Sequence, residues 1–366
     1  MAQSDDARFM ALALLLGRRG LGRTWPNPAV GAVLVKDGVI VGRGWTQSGG
    51  RPHAEIEALR RAGEAARGAT LYVTLEPCSH HGRSPPCADA IVAAGVARVV
   101  SALEDPNPKV AGQGHARLRA SGINVEVGVG AEEARRDHAG HIRRVRDGRP
   151  HVILKLAISA DGKAGAPGRK PLSITGDKAR DRVHLMRAQS DAIMVGIGTA
   201  LADDPMLTCR LPGMEKDSPV RIVLDSALRL PASSRLARTA RETPLWAICG
   251  GEAAAAAAAS LQAQGVTVLR AEETKGRLEL AAVLKLIAGR GITRLMVEGG
   301  PTLAAALAAA DLIDEAVLLQ SPTVVGADGI DALEGLLLTA LTQSPRLVSV
   351  RSEAIGADMC EVFMRR

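Results

Sequence analysis

Short hydrophobic runs alternate with amphipathic stretches along most of the chain. Residues 8–20 predict a helix, and a hairpin follows in which Val33–Val35 and Val39–Val41 flank the turn Asp37-Gly38. Helices and strands then take turns, in the segments HAEIEALRRAGEAA, ATLYVTLEP, CADAIVAAG, ARVVSAL and GINVEVGVG. Strands separated by short helices predict a layered α/β domain.

A charged helix, AEEARRDHAGHIRRVRDGRP, closes this pattern near Gly148 and Pro150. The pattern restarts with the strand HVILKLAIS and continues through GDKARDRVHLMRAQ, AIMVG, VRIVLD, LWAIC, an Ala-rich segment, RLMVEGG and PTLAAALAAA. The run of alanines at 253–259 predicts a surface helix, because Ala is the best helix former. We therefore predict two α/β domains, residues 1–147 and 148–366.

Composition narrows the class of protein. The 366 residues are 46% hydrophobic but only 2% aromatic, so the cores must be built from Ala, Val, Leu and Ile. Five cysteines, an odd number, do not suggest a disulfide framework and favour a reducing compartment. The N-terminus lacks a secretory pattern, and no run approaches the ~18 apolar residues of a membrane span. We expect a cytoplasmic protein.

The net charge of +7 allows three interpretations: a solvated Arg-rich surface, a nucleic-acid partner, or a small phosphorylated substrate. Nucleic-acid grooves usually interleave basic and aromatic side chains for stacking, and aromatics are scarce here. Of the two functional interpretations, we therefore expect the small phosphorylated substrate and no nucleic acid.

The segment LEPCSHHGRSPPC and the upstream RPHAEIEAL contain candidate metal ligands. His53, Cys78 and Cys87 would form a three-ligand zinc shell with an open position, and Glu55 could move protons beside it. Zinc deaminases carry His-x-Glu followed by Pro-Cys-x-x-Cys, but here the second cysteine lies nine positions after the first. The alternative is a closed structural site with a fourth ligand from His80 or His81.

The second half contains a candidate phosphate cradle in RLMVEGGPTLAAAL. The strand ends at Glu298, Gly299 and Gly300 allow close approach to the backbone, and Pro301 can begin the next helix. By itself this pattern equally fits a simple turn between a strand and a helix. The segment GIGTAL lacks the third glycine of a dinucleotide fingerprint.

Together, TWPNPAVGAVLVKDG, HAE, EPCSHHGRSPPC and DPNPKVAGQG closely resemble the deaminase half of the bifunctional riboflavin-biosynthesis deaminase–reductases. The resemblance continues in LKLAISADGK, RAQSDAIMVGIGTALADDPMLTCR and VEGGPTL, so it covers almost the whole chain. It implies a cytidine-deaminase-like α/β/α domain followed by a dihydrofolate-reductase-like α/β domain. It also explains the long cysteine spacing, which this family shows.

The resemblance implies two successive reactions. The first half would use one zinc per chain to deaminate a diaminopyrimidinone that carries a ribosylamino 5'-phosphate. The second half would use NADPH to reduce the ribosyl group to a ribityl chain. The preference for NADPH over NADH follows from the resemblance alone. We also expect a homo-oligomer, either a dimer or a tetramer.

Individual roles follow from the matched motifs. Zinc would be held by His53, Cys78 and Cys87, and Glu55 would shuttle the proton. Substrate contacts are expected from Asn27, His80, Asn107, Arg187, Leu207, Arg210 and Glu298. NADPH contacts are expected from Ala157, Ser173, Thr199, Asp203, Ser226, Gly300, Pro301, Thr302 and Leu303. Among these residues, Arg187 and Arg210 are candidates for the 5'-phosphate, which a guanidinium can bind with paired hydrogen bonds. Lys155 and Asp161 are expected near the reacting end.

Three positions depart from the family pattern. Thr46 stands where relatives commonly have His, and Pro171 and Ser173 stand where many have a Ser-x-Trp segment. We expect zinc binding to be unaffected, whereas a substrate contact and an aromatic wall are lost.

Two alternatives belong to other classes of protein. One is a nucleic-acid base deaminase with an appended binding domain, and the other is a scaffold stabilised by zinc. The basic composition permits the first, whereas the scarce aromatics, the cysteine spacing and the strand-rich second half argue against it.

Overall fold

The computed structural model describes residues 2–81, 85–108, 110–169 and 172–366, so Pro171 lies outside the described residues. The chain divides into two compact units, Met1–Gly148 (unit 1) and Arg149–Arg366 (unit 2). Each unit has its own sheet and its own buried apolar cluster.

Unit 1 follows the predicted alternation of strands and helices. Its elements are α1 (Ala2–Arg18), β1 (Gly31–Lys36), β2 (Val39–Trp45), α2 (Ala54–Ala62), β3 (Thr70–Val73), α3 (Cys87–Ala93), β4 (Arg98–Ser101), α4 (Gln113–Ala120), β5 (Asn124–Val127), α5 (Ala131–Asp137) and α6 (Ala139–Asp147). The sheet order is β2-β1-β3-β4-β5. The predicted hairpin is confirmed as β1–β2, whereas the predicted boundary helix is two helices that meet at His138.

Polar contacts and a close backbone approach fix the helices of unit 1 on its sheet. The Asp6 carboxylate of α1 accepts hydrogen bonds from the Tyr72 hydroxyl at 2.7 Å and from the Arg98 guanidinium at 2.9 and 2.7 Å. Helix α2 lies on β2, where a Cβ on Gly44 would stand 2.3 Å from the Ala54 carbonyl oxygen. Glycine at this position therefore lets the first turn of α2 lie directly on the strand.

Unit 2 is larger and contains more strands. Its elements are β6 (His151–Ile158), β7 (Lys163–Gly165), α7 (Asp177–Ala188), β8 (Ala192–Gly196), α8 (Ile197–Asp203), β9 (Val220–Leu224), α9 (Arg235–Arg238), β10 (Leu245–Cys249), α10 (Ala255–Ala263), β11 (Thr267–Arg270), β12 (Glu273–Thr274), β13 (Arg277–Leu278), α11 (Leu280–Gly289), β14 (Arg294–Val297), α12 (Pro301–Ala309), β15 (Glu315–Gln320), β16 (Ile330–Asp331), α13 (Thr339–Thr342), β17 (Leu347–Ile355) and β18 (Asp358–Arg365).

The main sheet of unit 2 reverses its strand order in the middle. The order is β11-β10-β9-β8-β14-β6-β15-β18-β17, parallel from β11 to β15 and antiparallel at β18 and β17. After β6 the chain builds outward from β8 to β11 and later inserts β14 between β8 and β6. Such a reversal leaves a crevice at the carboxyl ends of the strands, where ligands bind in open α/β sheets.

Buried aspartates hold the amino ends of the central strands together. Asp191 lies just before β8, and its Oδ2 atom accepts hydrogen bonds from the backbone N–H groups of Thr293 and Arg294 at 2.8 and 2.9 Å. These two residues lie just before and at the start of β14, so the contacts join β8 to β14. Asp314 Oδ2 accepts the Val152 N–H at 2.9 Å and so joins β15 to β6. These contacts fix the strands whose opposite ends form the crevice.

No helix in the described part of the chain combines the length and the apolar composition needed to cross a membrane.

His138 lies in the core of unit 1, with its Nε2 atom 3.1 Å from the Thr74 hydroxyl. Burial, reinforced by the neighbouring His141, lowers the pKa of His138 from 6.5 to about 3. The folded protein therefore holds this imidazole neutral, whereas the unfolded chain takes up a proton below about pH 6.5.

We expect His138 to make the protein sensitive to acid. Because only the unfolded chain takes up a proton at this imidazole, the folded state loses stability progressively from about pH 6.5 down to about pH 3. The loss is about 2 kcal/mol at about pH 5. Thermal unfolding should show that His138→Gln loses less stability than the wild type between about pH 7 and about pH 5. Both proteins keep the same predicted metal ligands, so acid release of a metal affects both alike. An equal loss in the two proteins would assign the acid sensitivity to other groups.

Candidate active sites

Three candidate metal ligands meet beyond the carboxyl end of β3. His53 Nδ1, Cys78 Sγ and Cys87 Sγ lie within 4.8 Å of one another, and the imidazole nitrogen is 3.7 Å from Cys78 and 3.3 Å from Cys87. In tetrahedral zinc sites, Zn–N of about 2.0 Å and Zn–S of about 2.3 Å place nitrogen and sulfur about 3.5 Å apart. The donor types and their spacing therefore fit zinc. His80 and His81 are exposed and lie outside this group.

The local backbone explains how distant positions form one group. His53 is the N-cap residue of α2, Cys78 follows β3, and Cys87 is the first residue of α3. The Cys87 backbone N–H donates a hydrogen bond to Cys78 Sγ at 3.3 Å. The nine-position spacing therefore closes because the second cysteine begins a helix whose first amide faces the first sulfur.

The electrostatics of the group favour a thiolate. The pKa of Cys78 falls to about 4, chiefly because of its hydrogen bond with the Cys87 thiol and also because of His53, which together outweigh burial. The contact with Cys78, followed by burial, raises the pKa of Cys87. The hydrogen bond with Cys78 raises the pKa of His53, and burial raises the pKa of Glu55. One sulfur is thus ionised near neutral pH, the form that binds metals.

A cavity of about 330 Å³ adjoins the metal-ligand group. The predicted site residues that line it are Asn27, His53, Glu55, Cys78, His80 and Asn107. Cys87 joins the site through its contacts with His53 and Cys78. The Asn27 side-chain amide donates a hydrogen bond to the Gly50 carbonyl at 2.8 Å, so the protein fixes its orientation.

Thr46, the first departure from the family pattern, is buried and also lines this cavity. Its hydroxyl oxygen accepts the Val30 N–H at 3.0 Å. This hydroxyl therefore supports the backbone just before β1.

Glu76 lines the cavity as well, although it was not predicted from the sequence as a site residue. Its carboxylate accepts N–H bonds from Asp105 and Gly112 at 3.0 Å, from Gly114 at 2.7 Å and from His115 at 3.3 Å. Gly114 and His115 belong to the first turn of α4, whose amides need acceptors. An acidic residue immediately before the Pro-Cys pair was the available signal.

One wall of this cavity was not predicted from the sequence. His141, Arg144 and Val145 of α6 line it, together with Arg51 and Asp105. Positions i, i+3 and i+4 share one face of a helix, so their spacing in the charged segment was the signal that could have found them.

A second cavity, of about 260 Å³, lies at the carboxyl ends of β6, β8 and β14. Of the residues expected to contact NADPH, those lining it are Ala157, Thr199, Asp203, Gly300, Pro301, Thr302 and Leu303. Gly299 has a φ of 101°, which favours glycine, and a Cβ on Gly300 would stand 2.9 Å from Thr199 Oγ1. The Gly-Gly turn thus brings the start of α12 to the cavity, which suits a phosphate.

Ser173 and Ser226 are described but are not among the residues that line this cavity. The Ser173 hydroxyl accepts a hydrogen bond from Arg180 at 2.7 Å, and the Ser226 carbonyl accepts the Gly250 N–H at 3.0 Å. Their cofactor contacts stay predictions. Asp161 also lies outside the lining, and its carboxylate accepts backbone N–H groups from another loop.

A largely buried ion-pair network borders the second cavity. Arg187 Nε and Nη2 donate to the two oxygens of Glu298 at 2.6 and 2.9 Å, and Lys155 Nζ lies 4.0 Å from the same carboxylate. Burial raises the pKa of Glu298, but the attraction of Arg187 and Lys155 outweighs it and the pKa is lowered. Burial lowers the pKa of Lys155. Arg187 and Glu298, both expected to contact substrate, are therefore bound to each other in this structure.

Leu207 and Arg210 lie in the loop after α8, outside the lining of the second cavity as far as the structure describes it. Leu207 is buried with a φ of 54°, a left-handed backbone that non-glycine residues adopt mainly under constraint. Arg210 is exposed, but the partial desolvation of its guanidinium, followed by the charge of Arg187, lowers its pKa. Arg210 is therefore the more accessible of the two candidate phosphate-binding arginines.

Comparison with known proteins decides the family. Residues 150–361 match the family model described as the RibD C-terminal domain, and residues 3–103 match the cytidine and deoxycytidylate deaminase zinc-binding region. The chain is 43% identical to riboflavin biosynthesis protein RibD of Escherichia coli, covering 97% of this chain and 98% of that one. The identity to RibD of Aquifex aeolicus is 40%, with both chains covered completely at 100%. The chain belongs to the RibD family.

Solved structures of RibD proteins share the fold. Acinetobacter baumannii RibD matches with a TM-score of 0.88 and 34% identity, covering 100% of this chain and 99% of that one. The Thermotoga maritima protein, described as a diaminohydroxyphosphoribosylaminopyrimidine deaminase/5-amino-6-(5-phosphoribosylamino)uracil reductase, matches with a TM-score of 0.86 and 34% identity, covering 100% of both chains. The predicted fold class, a cytidine-deaminase-like domain followed by a dihydrofolate-reductase-like domain, is confirmed.

Membership of the RibD family also confirms the predicted activities. The chain is a bifunctional riboflavin-biosynthesis enzyme with a zinc-dependent deaminase domain and an NADPH-dependent reductase domain. The alternative of a nucleic-acid base deaminase fails because the second half matches the RibD reductase domain. The alternative of a scaffold stabilised by zinc fails because the RibD family is enzymatic.

We expect Cys87→Ser to lose zinc, because a neutral hydroxyl replaces one of three protein ligands. Metal analysis of the purified protein should show about one zinc per chain in the wild type and little in the variant. Cys249→Ser is the matched control, since this buried thiol lies in unit 2, outside the metal-ligand group. Full zinc in Cys87→Ser would contradict the ligand assignment.

Proposed function

We propose that this chain acts on a diaminopyrimidinone bearing a ribosylamino 5'-phosphate, first deaminating the ring in unit 1 and then reducing the ribosyl group in unit 2. The observation that carries the proposal is the placement of Glu55 and the metal-ligand group on one cavity large enough for a small ligand. The substrate named for the Thermotoga maritima protein supports it. Ammonia release and NADPH oxidation, both assayed on this compound, test it directly.

In unit 1, His53, Cys78 and Cys87 hold the zinc. Bound zinc supplies a water that is activated for hydrolysis. Glu55 is buried two residues after His53 and lines the same cavity, so its carboxylate can accept a proton and deliver it to the departing amine. The fixed amide of Asn27 offers hydrogen-bonding atoms to the edge of the pyrimidine ring. Asn107 and His80 complete the substrate contacts.

In unit 2, the crevice beside β14 takes the cofactor. The Gly299-Gly300 turn and the start of α12 bind its phosphates, while Thr199 and Asp203 contact it from α8. NADPH supplies the hydride for the reduction. Ser173 and Ser226 complete the proposed cofactor contacts.

The substrate of unit 2 lies at the part of this crevice where Lys155 and Glu298 line the wall. Arg210 binds its phosphate, and Leu207 shapes the adjoining loop. The Arg187–Glu298 pair keeps an ionised carboxylate at the cavity wall, where it can accept hydrogen bonds from ribose hydroxyls. Lys155, which lies on the same wall beside Glu298, provides a cation near the reacting end.

The cellular setting and the assembly are part of the proposal. The unpaired cysteines and the biosynthetic role of the family support a cytoplasmic enzyme. We further propose a homo-oligomer, a dimer or a tetramer, which sedimentation of the purified chain would test.

We expect Glu55→Gln to keep its zinc and its fold and to lose deamination by at least about 10²-fold, the usual scale for a general acid or base. Ammonia release measures the loss, and metal analysis verifies the site. Glu57→Gln is the matched control, because Glu57 lies on the same helix and its carboxylate pairs with Arg60 and Arg61. Near-normal ammonia release by Glu55→Gln would assign the proton transfer to another group.

The two activities should be separable, because the units have separate cores. A truncated protein beginning at Gly148 carries the second cavity and none of the zinc ligands. Given substrate that has already been deaminated, it should oxidise NADPH without added metal, and chelators should not slow it. If the fragment is folded and soluble but fails to bind NADPH, the assignment of the cofactor site to unit 2 is wrong.

A further inference from the structure

One wall of the deaminase cavity has no part in the proposed chemistry. Helix α6 contributes His141 and Arg144 to it, one turn apart on the same face. The neighbouring arginines of α6 do not line the cavity as the structure describes it: Arg143 pairs with Asp147, and Arg146 is exposed. Arg144 is therefore the arginine that this helix gives to the cavity.

Both ring nitrogens of His141 are buried, although the residue as a whole is partly exposed. Its side chain is 14% exposed, and neither ring nitrogen has a hydrogen bond to any described residue. The nearest acidic group is Asp105, whose Oδ2 lies 3.6 Å from His141 Nε2. Buried polar groups in native proteins are usually satisfied, and an unsatisfied one calls for an explanation such as a bound group. A polar ligand in the cavity meets this requirement.

The cavity lining contains three acids, Glu55, Glu76 and Asp105, and two arginines that can attract an anion. These arginines are Arg51 and Arg144. The carboxylate of Glu76 accepts four backbone N–H groups, and Asp105 accepts the Asn107 N–H at 2.8 Å, so both acids have partners within the protein. Thr46 uses its hydroxyl oxygen on the Val30 backbone. The guanidinium of Arg144 carries the charge and the paired donors with which arginine binds anionic groups.

We propose that Arg144 and His141 bind the phosphate of the substrate in the deaminase cavity, Arg144 through its charge and His141 through a hydrogen bond. The inference rests on the proposed function, since the phosphorylated substrate supplies the anion. It makes α6, the last helix of unit 1, a specificity element of the deaminase site.

Steady-state ammonia release by the full-length, zinc-loaded enzyme tests this proposal with two substrates, the phosphorylated compound and its dephosphorylated counterpart. Arg144→Ala should raise KM for the phosphorylated compound by about 10- to 100-fold, the scale of a lost charge-assisted hydrogen bond, and change kcat by less than about threefold. KM for the dephosphorylated compound should stay within about twofold. His141→Phe should show the same selectivity with a smaller rise, and Arg144→Lys should recover part of the loss.

Three controls accompany these assays. Arg146→Ala removes an exposed arginine from the same helix and should match the wild type. Zinc content reports on the metal-ligand group, and reduction of deaminated substrate by the same chain reports on unit 2. Equal KM changes for both substrates, or none, would overturn the phosphate site while leaving the deaminase intact. A wild-type enzyme that releases no ammonia from the phosphorylated compound would instead overturn the proposed function, and the phosphate site with it.

Discussion

The buried carboxylate of Glu76 is the contact on which the deaminase cavity depends. It accepts four backbone N–H groups from the segment between Asp105 and His115, and Cys78 follows it by only two residues. One side chain thus ties the strand that leads to the metal-ligand group to the loop that carries Asn107. A buried carboxylate is costly without such donors, and buried amides are costly without an acceptor, so each half of this contact requires the other. The protein's own groups therefore fix this part of the cavity wall.

Unit 2 uses buried or largely buried carboxylates at both ends of its central strands, for different purposes. At the amino ends, Asp191 and Asp314 accept backbone N–H groups and fix neighbouring strands. At the carboxyl end of β14, Glu298 pairs with Arg187 and lies near Lys155. Separating the two partners of such a pair would leave an uncompensated charge away from water, which is unfavourable. The network therefore holds the side chains in one arrangement. The reversal of strand order then leaves this arrangement facing a crevice rather than packed against another strand.

Motifs whose chemistry depends on local spacing could be predicted from the sequence. The His-x-Glu pair at the start of a helix and the Gly-Gly-Pro turn after a strand specify both residue types and backbone geometry within a few positions. Departures from the family pattern were equally visible, but their consequences were not. Thr46 keeps a buried place in the cavity because its hydroxyl supports the Val30 backbone, a contact sixteen positions away along the chain. The family resemblance gave no indication of this contact.

From the sequence, the alternation of strands and helices predicted two α/β domains, and the His-x-Glu pair with the two cysteines predicted the metal donors. The detailed fold class and the two chemistries followed from the resemblance of longer motifs to a known family. Tertiary structure decided which charged side chains meet. Arg187 looked free to bind a phosphate, yet the fold places it against Glu298, 111 positions away. The helix that contains His141 looked like a boundary element, yet it lines the deaminase cavity. Pairings across such separations depend on how sheets and helices pack. Local sequence patterns therefore do not predict which charged side chains form pairs.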